Sequence, residues 1–119
     1  MELISTGRSD EVVGLLTDDF TFELPYGPVG MPPSFDKASY AGMQSATFKL
    51  FSSFALEPIE MHHMLDPDEL VAEYRSDATV AASGEPYRNR YIGVFTFRDG
   101  KVRSWKEFHN PEATRVLAG

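Results

Sequence analysis

The sequence contains no cysteine, which removes disulfides, thiolate metal sites and a thiol nucleophile together. Basic residues are the scarcer charge: 11 Lys plus Arg stand against 18 Asp plus Glu, a formal net charge of -7. That balance speaks against a nucleic-acid partner or an anionic membrane surface, because a net acid approaches phosphates only through a local basic stripe. The sole basic grouping, Arg75, Arg88, Arg90, Arg98, Lys101, Arg103 and Lys106, is interleaved with apolar strand positions and reads as solvated strand edges. No apolar run approaches the length of a membrane span and no secretory leader opens the chain, so a cytoplasmic protein is expected. Gly-x-Ser-x-Gly and a phosphate-cradling glycine loop are both missing. Triad hydrolysis and nucleotide cofactors are therefore disfavoured, and no cofactor is expected.

What is plentiful is aromatic. Nine Phe and five Tyr in 119 residues argue for one globular domain, spanning 1–119, with a large aromatic core or cavity lining. Ser9 is a candidate cap for a helix to about Thr17, with Asp10 and Glu11 in its first turn. A strand is expected over Phe20–Leu24, then a breaking Pro25-Tyr26-Gly27-Pro28 and a proline-rich loop from Gly30 to Pro33. Asp36 caps a second predicted helix through about Ser53, whose apolar face holds Tyr40, Met43, Thr47, Leu50, Phe51 and Phe54. Leu56–Met64 and Leu70 to about Ser76 read as strands around the turn Leu65-Asp66-Pro67-Asp68, with Thr79–Ser83 a possible bent continuation. Asn110 with Pro111 signals a short terminal helix. Helices first and antiparallel strands afterwards make an α+β fold, a curved sheet wrapped on helices.

The segment Tyr87–Pro111 is the most informative. Asp99-Gly100 between alternating apolar runs predicts a two-residue hairpin turn. Counting outward from it pairs Arg98 with Lys101, Thr96 with Arg103, Val94 with Trp105 and Ile92 with Glu107. On that register one face carries Ile92, Val94, Trp105, Glu107 and His109, and the other carries Tyr91, Phe95, Phe97, Val102 and Phe108. A carboxylate among Ile, Val and Trp has a raised pKa, the condition for a general acid or base near neutrality. The alternative is a surface glutamate paired with Arg75, Arg90 or Arg103. His109, two residues on, faces the same side and is a candidate proton-shuttle partner, or a half-exposed strand-end histidine. Trp105 reads equally as core or as a stacking platform for a flat ligand. His62 and His63, near Asp66, Asp68 and Glu69, invite a metal reading; neighbours on a strand point to opposite faces and the acids are turn residues, so no metal site is expected. Asp18 and Asp19 read as turn residues.

The order Asn89-Arg90-Tyr91, Phe95, Asp99-Gly100-Lys101-Val102, Glu107-Phe108-x-Asn110-Pro111 resembles the C-terminal half of the NTF2-like superfamily, in its SnoaL-like and phenazine-biosynthesis PhzA/PhzB-like branch. Asp18 to Gly27, followed by Gly30-Met31-Pro32, resembles the first strand and following loop of that branch. The resemblance implies an NTF2-like (cystatin-like) cone with an internal pocket. It makes Glu107 the acid that moves a proton, puts Tyr26 and Met31 at the pocket mouth, and lets Tyr40 and Met43 line the pocket from the second helix, though core packing explains that last pair equally. It implies cofactor-independent isomerase, cyclase or condensation chemistry on a small apolar, ring-containing metabolite; the alternative is a non-catalytic ligand-binding or dimerisation module, and a weaker third is a protein adaptor. Phenazine relatives place a histidine on the second helix, and none occurs here between Asp36 and Phe54. Such proteins open with a longer first helix than Met1 to Arg8 allows, which suggests a natural start upstream. A homodimer is expected, since the convex side of so aromatic a sheet would otherwise leave a large apolar patch in water.

Overall fold

Alternating burial sets the strands. A computed structural model describes residues 9–27, 31–32 and 34–118. Along the chain lie helix α1 (Ser9–Gly14), strands β1 (Leu16–Glu23) and β2 (Ser34–Asp36), helix α2 (Lys37–Phe48), then strands β3 (Phe51–His63), β4 (Glu69–Val80), β5 (Pro86–Arg98) and β6 (Lys101–His109). A 3-10 turn (Pro111–Thr114) and a last helical turn, α3 (Arg115–Ala118), complete it. The six strands form one curved sheet in the order β2-β1-β6-β5-β4-β3. Neighbours are antiparallel except β1 and β6, which run parallel. The mixed α+β architecture is the one expected. Residues 1–8, the side chains of the Ser9 cap, Asp10 and Glu11, and Gly30 and Pro33 of the proline-rich loop lie outside the described residues.

Tertiary pairing overrides local periodicity at both helix ends. The first helix stops at Gly14 rather than near Thr17, because Leu15 O accepts from Val102 N at 2.9 Å and Leu16 is buried at 2% exposure in the strand that follows. The second stops at Phe48 rather than Ser53. Leu50 O accepts from Ala81 N at 2.8 Å, and Phe51 stacks on Tyr87 with ring centres 5.6 Å apart. The run Leu50, Phe51, Phe54 fits a helical face by spacing, yet its aromatic character equally suits a pleated surface. Asp36 caps α2 as expected, accepting from Ser39 N at 2.8 Å. The fourth strand runs unbroken from Glu69 to Val80, with Ala72, Tyr74, Ser76, Ala78 and Val80 all buried on its inner face, and the expected continuation to Ser83 stops there, since residues 81–83 form a turn.

The concave side of the sheet meets α2 over the main core, which includes Phe20, Phe22, Tyr40, Tyr74, Tyr91, Phe95 and Trp105. Trp105 is its hub: Phe95 lies 5.1 Å away, Phe22 5.3 Å edge-on and Tyr40 6.0 Å. A smaller cluster of Ala78, Val80 and Tyr87 packs with Phe51 and Leu117. Asp19 clamps β1 to the hairpin, taking both guanidinium nitrogens of Arg98 at 2.9 and 2.5 Å, and Arg98 with Thr17 holds its carboxyl well below the usual range. Asp18 and Asp19, expected as turn residues, thus lie within strand β1, where Asp19 serves as a structural clamp.

Candidate functional site around Glu107

The hairpin turn forms where expected, with Asp99 and Gly100 both at positive φ, 52° and 77°. Its register does not continue as counted. Arg98 pairs with Lys101 and Phe97 with Val102, but Thr96 then pairs with Ser104, leaving Arg103 as an extra residue in a β-bulge. Every later pair is shifted by one: Phe95 faces Trp105, Gly93 faces Glu107 and Tyr91 faces His109. Because side chains alternate, that single residue exchanges the faces of β5. Ile92 and Val94, expected beside Glu107, therefore lie on the opposite face, where Ile92 is 45% exposed. Glu107 turns instead toward Tyr91, Phe95, Trp105 and, from the next strand, Tyr74.

Gly93 makes the room. A Cβ there would stand 2.6 Å from the Phe95 ring and 3.0 Å from the Tyr74 ring, so the position opposite Glu107 is filled by aromatic edges rather than by its own side chain. Tyr74, with 0% exposure, accepts a hydrogen bond from Trp105 Nε1 at 3.1 Å and is itself hydrogen-bonded to the Glu107 carboxyl. Burial disfavours the anion and Tyr74 partly restores it; burial wins, and the Glu107 pKa rises from 4.5 to about 7. The residue as a whole is only partly buried. Burial, with the nearby Glu107 charge contributing, holds Tyr74, Tyr40 and Tyr91 far above the ordinary tyrosine range. All three remain neutral hydroxyls at any working pH. Among the described residues Glu107 makes no ion pair with Arg103 or any other base; Arg75 binds Glu57 at 2.7 Å and Arg90 lies 3.8 Å from Glu73, both on the outer face.

A second polar chain borders the first. Tyr91 OH bonds Ser76 Oγ at 2.9 Å and Tyr87 OH at 3.3 Å, while Asn89 Nδ2 donates to Tyr87 OH at 2.8 Å and to Asn110 O at 3.0 Å. This network fastens the end of β6, and with it Glu107, to the centre of the sheet. His109 sits on the Glu107 face as expected and is half-buried; desolvation lowers its pKa, and its Nδ1 is buried without a hydrogen-bond partner. Gln44, 6% exposed on α2, also has a buried Oε1 with no partner.

Of the other expected residues, Tyr40 is buried against Phe20 and Phe22, and Met43 is partly buried beside it. Tyr26 is 58% exposed and its ring packs 5.9 Å from Phe108, the neighbour of Glu107 that points to the other face. Met31 is 37% exposed. The structure thus gathers Glu107, His109, Trp105, Tyr40 and Met43 on the concave side and does not bring Tyr26 there. Sequence reasoning missed Tyr74, Ser76 and Gln44. The available signal was the strict alternation Ala72-x-Tyr74-x-Ser76-x-Ala78, which puts two hydroxyls in a row of small core positions.

Two features lie away from this site. An open depression of about 410 Å³ is lined by Val13, Asp18, Asp36, Lys37, Ala38 and Ala41, none of which surrounds Glu107. On the outer face Glu60, His62 and Glu73 each offer one ligand atom within 4.8 Å of the others. There His62 already bonds Glu73 at 2.8 Å, which raises the His62 pKa, and His63 faces away on the other side of the strand. A cation would have to displace that bond and compete with Arg90.

Residues 1–105 match the family model of the SnoaL-like domain. Among curated sequences the chain is 29% identical over 107 residues to the uncharacterised protein YesE of Bacillus subtilis, spanning 88% of this chain and 72% of that one. It is 23% identical over 111 residues to an uncharacterised PhzA/B-like protein of Pseudomonas aeruginosa, spanning 93% and 79%. A crystal structure of a Bacillus subtilis protein provisionally described as an isomerase superposes at TM-score 0.88 with 28% identity, over 100% of this chain and 86% of that one. A protein of Xanthomonas campestris provisionally described as a polyketide cyclase shares the fold at TM-score 0.83 with 17% identity, over 99% and 90%.

Proposed function

This chain belongs to the SnoaL-like family, and on that premise we propose that it takes a small, largely apolar, ring-containing metabolite onto the concave side of its sheet and moves a proton with Glu107. The chemistry is isomerisation, cyclisation or condensation without a cofactor, in the cytoplasm. One observation carries the reading: a carboxyl with a pKa of about 7, held by burial and by Tyr74 on a face otherwise built of rings. At neutral pH such a group is split between acid and base and can serve as either. As the anion it takes a proton from a carbon next to a carbonyl; the C–H electron pair becomes the C=C bond of an enolate as the carbonyl π pair moves onto oxygen, and the proton rests on Glu107. Returning the proton to another carbon completes an isomerisation with no oxidant or reductant.

The test is hydrogen exchange at the α-carbon of 2-tetralone in D2O, followed by proton NMR. Exchange accelerated by the parent chain and reduced about 10²-fold or more in Glu107→Gln supports the reading. Equal exchange by both removes Glu107 from the chemistry. The second reading, a binding module without turnover, draws on one observation: His109, the expected shuttle partner, leaves Nδ1 without a hydrogen bond. That reading predicts ligand binding with no exchange in either protein.

A further inference from the structure

Helix α2 crosses the concave face in a definite direction. Tyr40, near its start, packs 6.0 Å from Trp105 on β6, and Phe48, at its end, packs 5.6 Å edge-on to Phe54 on β3. Gln44 is one turn from each, on the same buried side of the helix. Both flanking rings, Tyr40 and Phe48, belong to or pack against the aromatic core that also holds Tyr74, Tyr91 and Trp105. Its amide is 6% exposed, and its Oε1 reaches no hydrogen-bond partner in the protein. A polar atom buried in this way is costly unless something else supplies the missing bond. Two hydroxyls of that core are engaged elsewhere: Tyr74 between Trp105 and Glu107, and Tyr91 between Ser76 and Tyr87. A bound ligand can supply the missing donor.

We infer that Gln44 is a specificity-determining residue, and that the ligand class is a hydroxylated ring whose O–H donates to Gln44 Oε1 while the ring lies against the aromatic face around Trp105. The inference rests on the reading of the concave face as a ring-binding site and narrows it from apolar rings in general to phenolic or enolic ones. A hydroxyl suits the position because it matches a lone amide oxygen with one proton and adds little bulk. A hydrocarbon ring of the same shape would leave the amide oxygen buried and unpaired, and a site with such a group discriminates strongly against the analogue that lacks the donor.

The probes are 4-fluorophenol and 4-fluorotoluene, which differ by a hydroxyl in place of a methyl, titrated against the full chain and read by fluorine NMR. The parent chain should bind the phenol about tenfold or more tightly than the toluene, the size expected of one hydrogen bond to an otherwise unpaired buried acceptor. Gln44→Met should erase that preference, keep 4-fluorotoluene binding and raise the melting temperature; Gln44→Leu serves where the first variant does not fold. Equal binding of the two probes by the parent chain overturns the inference and leaves the ring-binding reading intact. A preference that persists in either folded variant also overturns it, since the hydroxyl is then met by another group. If neither probe enters the parent chain, the ring-binding reading falls and the inference with it.

Discussion

Tyr74 stands between Trp105 and Glu107, accepting from the indole nitrogen at 3.1 Å and bonding the carboxyl with its own hydroxyl. One oxygen thereby links the hub of the aromatic core to an inward-facing acid whose pKa, alone among the carboxyls of the described residues, is strongly raised. The hydroxyl stays protonated across the working range, so it can only donate toward Glu107. It favours the anion, and yet the carboxyl remains near neutrality because the surrounding rings remove more solvation than one hydroxyl returns.

Changing Glu107→Gln should therefore alter stability in a pH-dependent way. The folded pKa, about 7, lies above the ordinary 4.5, so the folded state holds the proton more tightly than the unfolded one. That advantage is complete below about pH 4.5 and is lost as pH rises through 7. The gap corresponds to about 3 kcal/mol at most. Urea denaturation at pH 4 should find parent and variant close together, and at pH 8 the variant should be the more stable. A parent whose stability does not fall between pH 4.5 and 8 relative to the variant would show the carboxyl to be solvated.

Tyr74→Phe removes both bonds at once. The indole N–H loses its acceptor and Glu107 its donor, which should cost about 1–3 kcal/mol of stability at pH 5. The carboxyl pKa should rise above 7 because only the desolvation remains. Carbon-13 NMR of the Glu107 carboxyl, with Glu107→Gln used for assignment, reads the midpoint directly; an unchanged or lower midpoint would exclude the bond.

Gly93→Ala should be destabilising although the residue sits in a regular strand, where alanine is ordinarily harmless. The added methyl would lie 2.6 Å from the Phe95 ring and 3.0 Å from the Tyr74 ring. Both rings are buried, so relief requires a shift of the core, at about 1–3 kcal/mol. Thermal melts of the variant beside Gly84→Ala, where no atom lies within 4 Å but φ is +73°, would separate crowding from backbone strain. A Gly93 variant as stable as the parent would mean that the face opposite Glu107 is open.

Dimer formation through the outer sheet face is expected. Ile92 is 45% exposed there, on the same row as Phe108 and beside the Val71–Val94 pair, and such a grouping favours a covering surface. Sedimentation should give twice the 13.3 kDa chain mass, and Ile92→Arg should return it to the monomer. A parent chain that sediments as a monomer at micromolar concentration contradicts the expectation.

How much of this could be read beforehand follows the range of the interactions involved. The turn at Asp99-Gly100, the cap at Asp36 and the capped turn at Asn110 depend on a few neighbouring residues, and each is found where the sequence puts it. The faces of β5 depend on Arg103, one residue looped out between Val102 and Ser104. Nothing in that sequence marks it, because a bulge is chosen by packing on both sides of the ladder. For Glu107 the count put Trp105 on its face, as found, together with Ile92 and Val94, which the bulge moves to the other; the surroundings that tune it, Tyr74 above all, belong to a strand some thirty residues earlier. The ends of both helices were misread for the same reason, since Leu15 and Leu50 give their carbonyls to distant strands.

The parallel pairing of β1 with β6 carries a consequence for how the chain is made. β1 lies at the beginning and its neighbour near the end, with Leu16 beside Val102 and Phe22 beside Trp105. During synthesis the early strand and the short strand paired to it wait until almost the whole chain has left the ribosome, while β3, β4 and β5 can close upon one another as they emerge. Nascent chains halted before Lys101 should hold a formed three-stranded meander and a loose, protease-sensitive N-terminal third, because loops this long close late. The same strand that delivers Glu107 to the site is thus the one that locks the fold, so no partly made chain carries its acid in place.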